Sequence, residues 1–201
     1  MLLYVATSNA GKLRDFRTAA AASPGFDIQP MPGLAEIAAP PEDEPTFEGN
    51  ARVKSAYYST FAPGHWVIAD DSGLEVDALN GRPGVRSARF ANDVGFASTG
   101  NIDADNNEAL QLAMIEATDR TGRYRCALAL AMDGTVEHVS FGKLEGHILT
   151  EPQGVRGFGY DPYFFAPELN CSMAEAADED RLRVSHRGRA LRALLRQWKA
   201  C

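Results

Sequence analysis

Apolar residues recur along this chain in two rhythms, and those rhythms lay out its elements. Short continuous or alternating apolar runs read as strands at Leu2–Ala6, Phe26–Pro30, Trp66–Asp70, Arg123–Met132, Val136–Glu145 and Tyr163–Ala166. Apolar positions three or four apart read as helices over Gly11–Ala22, Phe47–Phe61, Asp105–Ala117 and His186–Lys199. Asp133-Gly134, between two of the strand runs, is a strong hairpin signal. The polar stretch Pro32–Pro45 and the Gly/Asn/Asp-rich stretch Ala91–Asn107 read as loops. The order is an opening β-α-β, then an antiparallel hairpin, then a closing helix. It predicts an α/β fold with a mixed sheet and flanking helices rather than a fully parallel sheet. One domain over residues 1–201, with two lobes around a central cleft, is the architecture inferred from it.

Composition narrows the classes. With 201 residues the chain can bury a sizeable core, and it shows no repeat or low-complexity tract. A net charge of −7 argues against a general nucleic-acid binder. No long uncharged apolar run is present, so no membrane association is expected. Leu2–Ala6 is too short for the core of a signal peptide and lacks a cationic start. Cys126, Cys171 and Cys201 are far apart and form no CxxC, which disfavours a disulfide framework or a thiolate metal site and makes the cytoplasm the expected compartment. Charge is unevenly placed: Glu42-Asp43-Glu44 and Asp178-Glu179-Asp180 are acidic knots. From Arg181 onward every charged side chain is cationic. A solvated helix face accounts for Arg196 and Lys199, near a helix C-terminus, but not for Arg187.

Five groups could carry chemistry. Thr7-Ser8-Asn9-Ala10-Gly11-Lys12 lies where a strand turns into a helix, and backbone N–H groups at a helix start attract anions. Lys12 there opposes the helix dipole unless something negative stands in front of it. The stretch suits a phosphate site or, equally, a capped helix with a solvated lysine. It is not a Walker A loop, since GxxxxGK[ST] is absent. Asp70-Asp71-Ser72-Gly73 ends a strand in two carboxylates and a tight turn. These carboxylates suit Mg2+, or else bond the turn's own N–H groups. Successive strand side chains face opposite ways, so at most one of the two faces a given cleft. The acidic loop Glu42-Asp43-Glu44 could supply a second carboxylate. Asn50 and Lys54 follow one turn apart on a helix, Lys54 meeting either a phosphate or solvent.

Gly157-Phe158-Gly159-Tyr160-Asp161-Pro162 is a loop a flat base could approach and stack on, or a turn that tucks Phe158 into the core. In Ser185-His186-Arg187, Ser185 reads as an N-cap, which leaves two cations in a first helical turn. Arg187, Leu191, Leu194, Leu195 and Trp198 share one stripe, so Arg187 points inward and needs a partner. An internal carboxylate would serve, but two broken placement rules together favour a ligand oxygen. Adjacent helical side chains diverge and no nucleophile elbow is present, which argues against a Ser-His nucleophile.

Together these groups suit a nucleoside triphosphate with a metal. The chain resembles the inosine/xanthosine triphosphate pyrophosphatase family. The matching segments are Thr7–Lys12, Thr46-Phe47-Glu48-Gly49-Asn50-Ala51, Ala69-Asp70-Asp71-Ser72-Gly73-Leu74, Pro83-Gly84-Val85-Arg86-Ser87-Ala88-Arg89, Gly157–Pro162 and Ser185-His186-Arg187-Gly188. Each is weak alone, but all stand in family order over nearly the whole chain. The resemblance implies a two-lobed mixed α/β fold, a homodimer, and Mg2+-dependent hydrolysis of a purine nucleoside triphosphate between its α- and β-phosphates.

It implies phosphate contacts from Thr7, Asn9 and Lys12, with backbone from Ser8, Ala10 and Gly11, and it makes Asp71 the general base or metal ligand. Glu42 becomes the second metal carboxylate, with Glu44 close by as the alternative. Lys54, Ser72, Phe158, Gly159, Tyr160 and Asp161 join the substrate set. His186 and Arg187 face the purine edge, where a 6-oxo group accepts hydrogen bonds. Where the family has a Glu-Lys pair, this chain has Asp180-Arg181, and arginine is planar and longer than lysine. The related septum-inhibitor type of nucleotide pyrophosphatase starts with a Ser-x-Ser-x-Arg-Arg pattern that Thr7–Lys12 lacks. A nucleotide sensor without turnover has no use for Asp71 with Lys12, and a nucleic-acid binder would rest on the basic C-terminal segment alone.

Overall fold

A computed structural model describes residues 1–21 and 25–199. Its strands are β1 (Leu2–Val5), β2 (Asp27–Pro30), β3 (Trp66–Val76), β4 (Thr121–Met132), β5 (Thr135–Ile148), β6 (Phe164–Ala166) and β7 (Cys171–Ser172). The helices are α1 (Ala10–Ala21), α2 (Phe47–Ser59), α3 (Phe90–Asp93), α4 (Ile102–Ala113), α5 (Asp178–Val184) and α6 (His186–Lys199). The strands form one sheet in the order β2-β1-β3-β4-β5-β6-β7. β1 runs parallel to β2 and β3, while β5-β6 and β6-β7 are antiparallel, so the sheet is mixed as the element order predicts.

The chain divides into two compact units. The first comprises Met1–Asp71, Cys126–Lys143 and the chain from Ser185, and the second comprises Ser72–Arg125 and Leu144–Val184. In the first unit, strand alternation sorts side chains into two cores. Leu3, Val5, Ile28, Ile68, Cys126, Leu128 and Leu130 face one way and pack with Phe16, Ala19 and Ala20 of α1 and Leu191, Leu194 and Leu195 of α6. Val67 and Ala69 face the other way with Tyr58 of α2, and Ala127 and Ala129 with Ala51 of α2. β4 is therefore apolar on both faces, which is why it reads as a continuous run. The core of the second unit gathers Leu74, Val76, Phe90, Leu110, Met114, Tyr124, Phe164 and Val184.

Local chemistry sets the boundaries. Asp133 and Gly134 have φ of 49° and 84°, the left-handed pair that a two-residue hairpin between β4 and β5 requires. Thr46 caps α2 by accepting from the Gly49 N–H at 3.0 Å. Ser185 caps α6 by accepting from the Gly188 N–H at 3.0 Å.

Three sequence expectations are corrected, on the Asp70–Gly73 turn, the start of α4 and Ala91. The tight turn at Asp70–Gly73 does not exist, because β3 runs straight through it. Both aspartates find cations on opposite sides of the strand, so neither has to end it. α4 begins one turn earlier than Asp105, where the Asn101 side chain accepts from the Ala104 N–H at 3.1 Å, and it ends at Ala113. Ala91 belongs to α3 rather than to a loop. The acidic knot Asp178-Glu179-Asp180 is the first turn of α5, with Arg181 and Arg183 in its last turn, a charge order that favours a short helix. Leu34–Glu36 forms a single 3-10 turn in the otherwise irregular Pro32–Pro45 stretch. The predicted last residue of the first helix, Ala22, lies outside the described residues, as does Cys201.

β5 and α6 meet closely at Gly142, where a Cβ would lie 2.0 Å from the His186 carbonyl oxygen and 2.6 Å from the Ala190 nitrogen. Gly142→Ala is therefore expected to destabilise the protein by roughly 1–3 kcal/mol, read as a lowered midpoint of thermal unfolding.

Candidate active site

The first unit collects a set of buried charges around the middle of β3. Asp70 and Asp71 are consecutive, so their side chains leave opposite faces of the strand. Asp70 faces α1 and α6. Its Oδ2 lies 2.9 Å from Lys12 Nζ and 3.8 Å from Arg187 Nε. Arg187 Nη1 also reaches Asp15 Oδ2 at 3.5 Å. Burial alone would raise the Asp70 pKa, but the charges of Lys12, Arg187 and Lys54 overcome it and hold the carboxyl well below the usual range.

Asp71 faces α2. Its Oδ1 lies 3.2 Å from Lys54 Nζ, and its Oδ2 accepts from Asn50 Nδ2 at 3.0 Å. Lys54 Nζ also donates to Glu42 Oε1 at 3.0 Å. Here burial wins: it pushes the Asp71 carboxyl up, against the opposing pull of Lys54, Asn50 and Lys12. Burial would lower the Lys54 ammonium, but Asp71, Asp70 and Glu42 outweigh it and raise its pKa. Lys54 is thus a buried cation between two carboxylates and not a surface lysine.

Asn50 orders the acidic loop as well. Its Oδ1 accepts from the Glu44 N–H at 3.1 Å and its Nδ2 donates to the Glu44 carbonyl at 3.4 Å. Glu42 is the acidic-loop residue whose carboxylate reaches Lys54, while the Glu44 side chain lies against Gly49. Glu42 and Asp71 therefore present hard oxygen donors to one cation, the ligand type that Mg2+ takes from one or two carboxylates. Among the described residues no group of three or more His, Cys, Asp or Glu could hold a metal ion. Two carboxylates are too few to cage a metal by protein alone.

The phosphate stretch occupies the start of α1. Asn9 caps the helix by accepting from the Lys12 N–H at 3.0 Å, and Thr7 Oγ1 accepts from the Asn9 N–H at 3.2 Å. Ser8, Asn9 and Ala10 are exposed and Thr7, Gly11 and Lys12 half-buried, so the helix start is open to solvent. Lys12, which sits against the dipole in sequence, has its negative partner in Asp70.

At α6, Ser185, His186 and Arg187 are all buried. Arg187 lies on the apolar stripe as the spacing requires. Within the protein it is engaged by Asp15 and Asp70. Asp15 escaped the sequence reading. The signal was its position four residues before buried Ala19 and next to Phe16, a carboxylate on a face otherwise apolar.

The second unit builds the aromatic loop separately. Asp161 Oδ1 accepts from the Tyr124 hydroxyl at 3.0 Å and its Oδ2 from the Phe158 N–H at 3.1 Å. Arg181, 2% exposed, lies 3.9 Å from Asp161 and 3.3 Å from Asp178. Asp103 accepts from the Gly159 N–H at 2.8 Å, and Asn107 donates to the Gly159 carbonyl at 2.9 Å. Tyr160, not Phe158, is the ring driven into the core. Its hydroxyl donates to the Ser87 carbonyl at 2.8 Å, and burial raises its pKa. Phe158 stays half-buried, as does Ser72 on β3.

A mixed α/β sheet, an open helix start beside a lysine, and two carboxylates on one ammonium define the class: an α/β protein with buried charges gathered around one strand. The chain belongs to the Ham1 family, whose profile matches residues 3–197. It is 54% identical over 197 residues to the dITP/XTP pyrophosphatase of Acidobacterium capsulatum, covering 97% of each chain. Among solved structures it matches the Ham1 protein of Staphylococcus aureus with a TM-score of 0.82 at 34% identity, covering 100% of this chain and 99% of that one. It matches a HAM1 protein from Coxiella burnetii with a TM-score of 0.83 at 30% identity, covering 100% of both. The relatives that carry the name dITP/XTP pyrophosphatase are nucleoside triphosphate pyrophosphatases, which are hydrolases, and this is the family and enzyme class read from the sequence motifs.

Because Asp70 titrates below its unfolded value, its charge stabilises the fold fully above about pH 5. That contribution fades as pH falls through the ordinary carboxylate pKa of about 3.9. Asp70→Asn leaves Lys12 and Arg187 without this partner and is expected to cost on the order of 3 kcal/mol at neutral pH. It should also flatten the loss of stability below about pH 5, both read from denaturant unfolding at a series of pH values.

Proposed function

We propose that this chain is a Mg2+-dependent pyrophosphatase for deaminated purine nucleoside triphosphates, ITP, dITP and XTP. It cleaves between the α- and β-phosphates to release the nucleoside monophosphate and pyrophosphate, and so cleanses the nucleotide pool. The observation that carries this reading is the convergence of Glu42 and Asp71 on Lys54. The names of the relatives support the substrate class.

The phosphates are received by the start of α1. Thr7, Ser8, Asn9, Ala10 and Gly11 offer short polar side chains and backbone N–H groups, and the helix dipole favours negative charge there. Lys12 and Lys54 add ammonium groups, each now neutralised by a carboxylate that an incoming phosphate would rival. Glu42 and Asp71 would hold Mg2+, which when bound withdraws charge from the phosphate oxygens. Asp71 also prepares the attacking water. Burial lifts its carboxyl toward working pH, where a base accepts a proton more readily. His186 and Arg187 meet the purine edge. A 6-oxo group accepts from such donors, whereas the amino group of adenine would leave them unpaired, a strong basis for rejection. Ser72, Phe158, Gly159, Tyr160, Asp161 and Arg181 are assigned to the nucleotide by the family resemblance. The resemblance likewise supports a homodimer. Two free cysteines among the described residues, Cys126 and Cys171, suit a reducing cytoplasm, and no described helix is long and apolar enough to cross a membrane.

A panel of ITP, dITP, XTP and the standard triphosphates, incubated with Mg2+ and assayed for pyrophosphate against phosphate, is expected to show pyrophosphate released from the deaminated substrates. Failure on all three of them would sink the reading. Asp71→Asn is expected to bind ITP within a few-fold of the parent while turnover falls by about a hundredfold or more. Near-normal turnover would place the base elsewhere.

A further inference from the structure

One carboxylate oxygen lies against two cations from different helices. Asp70 Oδ2 lies 2.9 Å from the Lys12 ammonium and 3.8 Å from Arg187 Nε. The first is a hydrogen-bonded ion pair, the second a contact at the outer edge of ion-pair distance. The Asp70 side chain is 2% exposed, so its charge must be answered from within the protein. Lys12, at 19%, is the more accessible of the two cations and stands at the open start of α1. Arg187, at 10%, is held from its other side by Asp15.

We propose that Asp70 is a positioning residue that couples the phosphate end of the site to the base end. The proposal rests on Lys12 meeting phosphate and Arg187 meeting the purine. When phosphate draws Lys12 away, the buried Asp70 oxygen turns to Arg187. The guanidinium is then gripped through Nε by Asp70 and through Nη1 by Asp15. Arginine carries its five donors in a rigid fork, so fixing two of its nitrogens fixes the direction of the rest. A pre-oriented fork loses less conformational freedom when it meets a base. Triphosphate binding thereby tightens base reading, and the enzyme examines the base most strictly on molecules that carry the chain of phosphates it hydrolyses. Coupling between two sites is reciprocal, so the base must tighten phosphate binding by the same factor.

The two ends can be supplied as separate molecules, inosine and inorganic tripolyphosphate, and inosine affinity measured by ligand-observed NMR. In the unmodified protein, saturating tripolyphosphate is expected to lower the inosine Kd about fivefold or more. Lys12→Gln frees the Asp70 oxygen permanently. It should bind inosine without tripolyphosphate as tightly as the parent does with it, and gain nothing further. That result is one a purely structural role for Asp70 would not produce. Asp70→Asn, checked for folding by circular dichroism, should bind inosine at the weaker level under both conditions.

An inosine affinity that tripolyphosphate leaves unchanged in the parent, undetectable binding in both cases included, overturns the coupling. So does Lys12→Gln binding inosine as weakly as the parent alone. ITP turnover by the parent, run alongside, separates the two levels. Turnover with no inosine response overturns the coupling only. No turnover with no tripolyphosphate binding overturns the proposed function and the coupling with it.

Discussion

Two negative charges on consecutive residues of a buried strand are the constraint from which the rest of the site follows. Asp70 and Asp71 cannot share a counter-ion easily, because the pleat sends them to opposite faces of β3. Each face must therefore bring its own cations. α1 and α6 bring Lys12 and Arg187 to one side, and α2 brings Lys54 to the other. The helices that cover the first unit are thus also the carriers of the site's charges. The two aspartates diverge chemically as a result. Asp70, with cations crowding it, is held firmly ionised. Asp71, where burial prevails, is lifted above the usual range.

Packing explains how the charges can be set so deep. On the α1/α6 face the strands present large apolar residues, Leu3, Val5, Ile68, Leu128 and Leu130. On the α2 face they present small ones, Ala69, Ala127 and Ala129. Small strand residues let α2 approach closely, and Asn50 and Lys54 ride on that helix to meet Asp71. At Gly142 the close approach is made on the other face, where the start of α6 presses on β5 and sets Ser185, His186 and Arg187 in the interior. Buried ion pairs contribute little to net stability, because desolvation offsets much of their attraction. Their worth here is that each side chain is held in one place.

Most elements were legible because their signals are local. Strand alternation, the 3.6-residue stripe of α6, the Asp133-Gly134 turn and the Ser185 cap each depend on neighbours in sequence. The errors fell where local signals mislead. Asp70-Asp71-Ser72-Gly73 has the composition of a turn, yet it is strand, since distant lysines and an arginine neutralise it. Asn101 starts α4 a turn before the apolar rhythm becomes clear.

The sequence by itself determined the mixed α/β class and the family, since motif order and residue chemistry are written along the chain. It also required that Arg187 point inward, because the stripe of α6 leaves it no other direction. Which groups meet was decided only by the tertiary structure. Lys12 with Asp70, Glu42 with Lys54 and Asp71, and Asp15 with Arg187 join residues from 12 to 172 positions apart, as in Lys54–Glu42 and Arg187–Asp15. No local rule links such partners. They are chosen by which helix lands on which face of β3, and that choice depends on the sizes of side chains across the whole sheet.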